Sequence, residues 1–308
     1  MAGERERNSL SIMNSPLFLL IGVGATLGLN FPLGKLAMAA GVNPALWACF
    51  ISLGAGLSLL IIISVAKSKS SSNAPGATAS RARFAVISGV LSYVVPNTLT
   101  YLVIPKLGSG LAAIMFALSP VATAFLSLVF RVRPPSALEI TGIAVGLVGA
   151  LVIIFARNHD FGADNDLWIF AALLIPVFLA MGNIYRTLGW PKDARPQELA
   201  SLTNLAAVPF FLVAAFLLTG TIDLAPFTTI PHVVVLQLAA STAMFLMLFR
   251  LQEIGGPTYL SQVGYVAAAV GVFIGVVYFG ETYPLDVWLG AGVIAVGIAL
   301  STLRYFRS

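Results

Sequence analysis

Gly142-Ile143-Ala144-Val145-Gly146-Leu147-Val148-Gly149 decides the reading of this chain, because its pattern returns near the end. Gly290-Ala291-Gly292-Val293-Ile294-Ala295-Val296-Gly297 repeats the Gly-x-x-Val-x-x-Val-Gly spacing 148 residues later (290 minus 142). Gly108 and Gly256, Phe125 and Phe273, and Val129 and Val277 match at the same offset. The flanking layout (apolar span, short break, apolar span) matches too. Two related halves follow, each closed by a glycine-faced helix, and such a repeat constrains the fold before any single residue does.

Working outward, 58% of the residues are hydrophobic and only 9% are charged. A soluble domain carries roughly a quarter charged residues, so this chain lacks the means to cover itself with a water-compatible surface. It reads as an integral membrane protein whose surroundings are the lipid bilayer. The net charge of +5 sits in the gaps between apolar spans, where it orients the chain rather than binding nucleic acid. Cys49 is the single cysteine, which excludes an intramolecular disulfide or a thiolate cluster. The first apolar run, from Pro16, is longer than a signal peptide's core of about 7–15 residues and is expected to stay as a helix.

About 20 residues cross the hydrocarbon core as a helix. Spans are expected near 16–39, 44–66, 84–104, 109–130, 137–156, 167–187, 198–219, 230–249, 257–279 and 284–303. Lys67–Arg83 reads as a flexible loop, and Asn158–Asp166 as the connector between an N-terminal repeat, 1–156, and a C-terminal repeat, 157–308. With a cytoplasmic N-terminus, Arg5, Arg7, Lys67, Lys69, Arg81, Arg83, Arg131, Arg133, Arg186, Lys192, Arg195, Arg250, Arg304 and Arg307 fall inside. Lys35, Lys106 and Arg157 fall outside, so fourteen stand against three. That bias places both termini in the cytoplasm. Five spans per half force the second half to enter from the opposite side. The expected fold is an all-α membrane protein, ten transmembrane helices arranged as two inverted five-helix repeats around a central cavity.

Several motifs carry a resemblance. They are Gly28-Leu29-Asn30-Phe31-Pro32-Leu33-Gly34-Lys35, Asn43-Pro44-Ala45-Leu46, the hairpin from Leu107-Gly108-Ser109-Gly110 to Ser119-Pro120, Gly280-Glu281-Thr282, and the two Gly/Val helices. On these the chain resembles the drug/metabolite transporter superfamily in its ten-helix EamA-type branch, over almost its whole length. Where many such proteins carry an Arg in the second helix, this chain has Ser52 or its neighbours. The Gly-Glu pair after the ninth span has no copy in the first half, where Val132-Arg133-Pro134 stands. The resemblance implies a central cavity lined by the first, third, fourth, sixth, eighth and ninth helices.

Polar side chains in hydrocarbon are costly unless they face protein or water, so their placement is informative. Tyr93, Asn97 and Tyr101 recur every four residues on one face of the third span. Gln237, Ser241 and Met244 follow at i, i+4 and i+7 on the eighth, and Thr258, Gln262 and Tyr265 do the same on the ninth. Asn30, Ser119 and Asn183 add to the set, with Asn204 on the seventh span. Interhelical hydrogen bonding, worth about 0.6 kcal/mol each, accounts for any one of them; a wet cavity accounts better for the set. The expected substrate-binding residues are therefore Asn30, Lys35, Tyr93, Asn97, Tyr101, Ser119, Asn183, Gln237, Ser241, Gln262 and Tyr265. Lys35 either snorkels to the headgroups or meets a substrate carboxylate or phosphate. Arg186 reads as a cytoplasmic anchor, and Glu281 as interfacial.

Pro32, Pro96 and Pro120 interrupt spans beside Asn30, Asn97 and Ser119. Each removes an amide donor and frees a carbonyl one turn earlier, so they are the expected hinges. Asn43-Pro44-Ala45 reads as a helix-start turn. No acid falls mid-span, which favours neutral, zwitterionic or weakly anionic metabolites, amino acids among them, over lipophilic cations. No hydrolase, zinc, Walker or dinucleotide motif is present in the sequence; neither catalytic residues, metal nor cofactor is expected. The expected function is secondary or facilitative transport, as an exporter in a bacterial inner membrane. The alternative is an intramembrane enzyme, or a structural membrane protein using the same polar residues for packing.

Overall fold

The computed structural model describes residues 15–65, 77–130, 137–157, 166–192 and 194–302. Among them seven helices are long and apolar enough to cross a membrane: Pro16–Ala39, Pro44–Val65, Ala79–Leu107, Ser109–Val129, Leu167–Leu188, Pro196–Thr219 and Pro231–Gln252. Ala137–Arg157 supplies the fifth span, and the shorter apolar helices Val263–Phe279 and Leu285–Gly297 supply the ninth and tenth. The spans are numbered below in chain order.

The bundle is apolar outside and polar within. Val65, Leu217 and Leu285 are 81%, 78% and 72% exposed, while Gln237, Asn204, Asn183 and Arg186 are buried. That is the arrangement a bilayer selects, since lipid is as apolar as the side chains facing it and a polar group must find protein.

Local chemistry sets the boundaries. Asn43 caps the second span, its Oδ1 accepting from the Ala45 and Leu46 amides at 2.9 and 3.2 Å, and Pro44 takes the first helical position where no amide is missed. The third helix starts at Ala77, inside the stretch expected to be loop. Its first turns are tied down by the Arg81–Glu198 ion pair at 3.6 Å. Helical geometry runs through Pro231–Phe279 for 49 residues, across the expected break between the eighth and ninth spans. The chain nonetheless reverses there. Gln237 bonds Asn30 while a Cβ on Gly271 would lie 3.0 Å from the neighbouring Phe31 ring. A straight helix would hold residues 237 and 271 about 51 Å apart.

The two Gly/Val helices meet each other. A Cβ on Gly149 would stand 2.7 Å from the Gly290 carbonyl oxygen, and one on Gly297 would stand 2.6 Å from that of Gly142. Early residues of the fifth span therefore face late residues of the tenth. The helices run antiparallel with backbones in contact, as small residues permit, and as the closing helices of two inverted repeats must.

Candidate functional site

Three spans are broken at one level of the bundle, each beside a proline. In the first, Pro16–Gly28 gives way to Asn30–Ala39, because Pro32 has no amide for the Gly28 carbonyl. In the fourth, Ser109–Phe116 gives way to Ser119–Val129, Pro120 likewise leaving the Phe116 carbonyl unclaimed. In the third, Val90–Val94 winds as a π-turn ahead of Pro96, with the Val95 amide donating to the Val90 carbonyl. Such bulges gather at functional sites. Broken helices at membrane depth are tolerated where they line a cavity.

They do so here. A cavity of about 70 Å³ is walled by residues of the first, second, third, fourth, sixth, eighth and ninth spans, and so by both repeats. At roughly 10–15 Å³ per water it holds a few waters or one small polar head group. Tyr93, Asn97 and Tyr101 form one wall, with Asn30, Ser119, Asn183 and Arg186 around them. Gly182 lets the third and sixth spans close up, since a Cβ there would meet Ser92 at Cβ and Cα, 3.1 and 3.2 Å away.

Hydrogen bonds fix several of these groups. Gln237 Nε2 donates to Asn30 Oδ1 at 2.6 Å and to Ser241 Oγ at 2.7 Å, so Gln237 and Ser241 stand behind Asn30 and join the first span to the eighth. Arg186 Nη2 donates to Asn183 Oδ1 at 2.6 Å. Asn183 Nδ2 donates to Thr123 Oγ1 at 3.3 Å, and Thr123 Oγ1 donates to the Ser119 carbonyl at 2.7 Å. The guanidinium is thus held by a relay reaching the broken fourth span. Arg186 does not anchor the bundle at its surface: it is 4% exposed and lines the cavity. The sign that pairs it with Asn183 was its spacing of three residues, one helical face.

Lys35 lies elsewhere. Its ammonium is 2.5 Å from Glu281 Oε1 and 4.5 Å from the centre of the Phe279 ring. Glu281 also accepts from the Ser109 amide at 2.9 Å, the Ser109 hydroxyl at 2.7 Å, the Gly110 amide at 3.0 Å and the Tyr283 hydroxyl. One carboxylate therefore caps the fourth span, where the helix end favours negative charge, and ties it to the first span and the segment after the ninth. Gly108, at φ 82°, makes the turn that presents these amides. Burial alone would raise the Glu281 pKa, but the bonds from Lys35, Tyr283, Ser109 and Gly110 overcome it and take it from 4.5 down to about 2. Burial and the neighbouring carboxylate push the Tyr283 phenol up. This latch joins the first and fourth spans to the segment after the ninth.

Tyr265 faces another space, an apolar groove of about 490 Å³ between the fourth, ninth and tenth spans, with Trp288 and Ile294. The side chain of Gln262 lies outside the described residues. Among the described residues no cluster of three or more His, Cys, Asp or Glu could hold a metal.

Known proteins agree with this architecture. A transporter of S-adenosylmethionine and S-adenosylhomocysteine from Chlamydia trachomatis serovar L2 is 23% identical over 236 residues, covering 72% of this chain and 71% of its own. A solved crystal structure superposes with a TM-score of 0.63 at 17% identity, over 94% of this chain and 98% of that one, which establishes a shared fold. The EamA-like transporter family matches residues 14–155 and 166–303, one stretch for each repeat. This chain, a multi-pass bundle with proline-broken helices around a shared polar chamber, belongs to the EamA-like transporter family.

Proposed function

We propose that this chain carries small neutral, zwitterionic or weakly anionic metabolites, amino-acid-like compounds first among them, across a bacterial inner membrane by alternating access. The observation that carries the reading is the coincidence of three proline-associated helix breaks with one polar chamber shared by both repeats. Discontinuous helices meeting at a repeat interface are how carriers build a midplane site. Among the described residues the chamber's lining has no carboxylate, which disfavours cationic substrates. The Chlamydia relative is a transporter of S-adenosylmethionine and S-adenosylhomocysteine, which supports a small metabolite as the cargo. The excess of basic residues on one side puts both termini in the cytoplasm, which turns the Lys35–Glu281 latch outward and makes it the outer gate. Export fits a chamber that lies toward the cytoplasmic ends of the sixth and eighth spans.

Asn30, Tyr93, Asn97, Tyr101, Ser119 and Asn183 are the binding residues in this reading. Pro32, Pro96 and Pro120 are the hinges, with Gln237 and Ser241 holding Asn30 in place. The test is counterflow of radiolabelled amino acids and S-adenosylmethionine in proteoliposomes. Saturable exchange that Asn97→Ala reduces at least tenfold supports the reading; folded wild-type protein that exchanges none of them overturns it. Unchanged exchange by Pro96→Ala removes the hinge role alone.

A further inference from the structure

Arg186 is the one cation among the described residues that line the chamber, and none of those residues carries a charge to balance it. The described ion pairs are Lys35–Glu281 and Arg81–Glu198; Arg186 belongs to neither. Among the described residues no acid lines the cavity. A guanidinium does not shed its proton in a protein, so burial cannot neutralise it as it would a lysine. Its Nη2 donates to a neutral amide, Asn183 Oδ1. Its Nε is buried without a hydrogen-bond partner, and the Tyr93 and Ser92 hydroxyls are buried in the same condition. Tyr93 adjoins the guanidinium. A buried charge that is left unpaired is strongly unfavourable. Three donors therefore converge on a small space lacking an acceptor of matching charge.

We infer that Arg186 is the specificity-determining residue of the chamber and binds a carboxylate on the transported metabolite, with the Tyr93 and Ser92 hydroxyls as further donors. The guanidinium's planar fork matches two carboxylate oxygens. A carboxylate suits the site better than a phosphate: one positive charge balances one negative charge, and a phosphate dianion would leave a charge uncompensated in a chamber with no second cation among the described residues. The Asn183–Thr123–Ser119 relay is the positioning element, fixing the guanidinium from behind so that its Nε side stays open. The chamber volume of about 70 Å³ takes the carboxylate end of a metabolite; the remainder needs the proline-broken helices to part.

The assignment rests on the carrier reading and deepens it. Its test pairs compounds differing at the carboxylate alone: radiolabelled leucine against leucinamide, and phenylalanine against its methyl ester, in proteoliposomes of wild type, Arg186→Lys and Arg186→Met. Wild type is expected to prefer each acid by on the order of a hundredfold in KM. Arg186→Met is expected to abolish that preference, and Arg186→Lys to keep a fraction of it. Because an unpaired buried charge is removed, Arg186→Met is also expected to melt no lower than wild type without substrate. The melting temperature of wild type should rise with added leucine, and that of Arg186→Met should not. Exchange that does not distinguish acid from amide, or a preference surviving in folded Arg186→Met, overturns the carboxylate assignment and leaves the carrier standing. Folded wild type that exchanges neither member of any pair overturns both.

Discussion

Lys35 and Arg186 are two cations in the same bundle, and their surroundings are opposite. Lys35 meets a carboxylate that also gathers two amides and two hydroxyls, and an aromatic face covers it. Arg186 meets a neutral amide and buried hydroxyls with no partner of their own. A charge satisfied from within the chain has finished its work once the fold is made; it locks. A charge left short of a counterion is kept waiting for one that arrives and leaves. On the proposed reading, the difference separates a gate from a binding site without appeal to position.

If that contrast holds, Glu281→Ala should do the most damage. It strands Lys35 and the amides at the start of the fourth span; with the Lys35 side chain 31% exposed, the loss is about 2–3 kcal/mol, below that of a fully buried pair. The expected result is a clearly lower melting temperature in detergent, together with faster labelling of a Leu107→Cys reporter by a membrane-impermeant thiol reagent. Acid should reproduce the effect reversibly. The carboxyl's pKa falls on folding from 4.5 to about 2, so its stabilisation is complete above 4.5 and is lost as pH falls through that interval. A melting temperature that does not fall between pH 5 and pH 2 would remove the latch from the account.

Two glycines sharpen the comparison by attacking one region each. A Cβ on Gly275 would lie 2.6 Å from Glu281 Oε2, and one on Gly182 would collide with Ser92. Overpacking of this kind costs about 1–3 kcal/mol in either case. Gly275→Ala should speed Leu107→Cys labelling with little change in substrate KM; Gly182→Ala should raise KM and leave labelling alone. Identical phenotypes would mean that the two regions are not separable. The smallest effect is expected from Gln237→Leu, which frees Asn30. A stability loss of about 0.6 kcal/mol by thermal melting is expected, with a several-fold rise in KM.

Much of this was legible before any coordinates. The wall formed by Tyr93, Asn97 and Tyr101 follows from a spacing of four on one helix, and the antiparallel closing helices follow from the Gly/Val repeat. What stayed hidden depends on partners far apart in the chain. Nothing in the sequence joins Lys35 to a carboxylate 246 residues away. Arg186 looked like a surface anchor because it sits in the last turn of an apolar helix, where such residues usually reach the headgroups. The sixth span is instead followed by Trp190, which packs with Phe84 and Phe249 among the buried side chains. Tyr265 shows the opposite error of inference: a regular polar spacing on the ninth span says which residues share a face, not which of two cavities that face meets. Pro96 was visible as an interruption, but the π-turn it accompanies was not, since a proline can be accommodated by a kink, a bulge or a break.

The seam between Gly149 and Gly290, and between Gly297 and Gly142, carries a consequence for how the chain is put together. Neither furrow offers anything to lipid except bare peptide, and each is shaped for the one on the opposite half. Severed between residues 157 and 166, the molecule would leave two fragments with matching grooves, so reassembly from separately made pieces is written into the join itself.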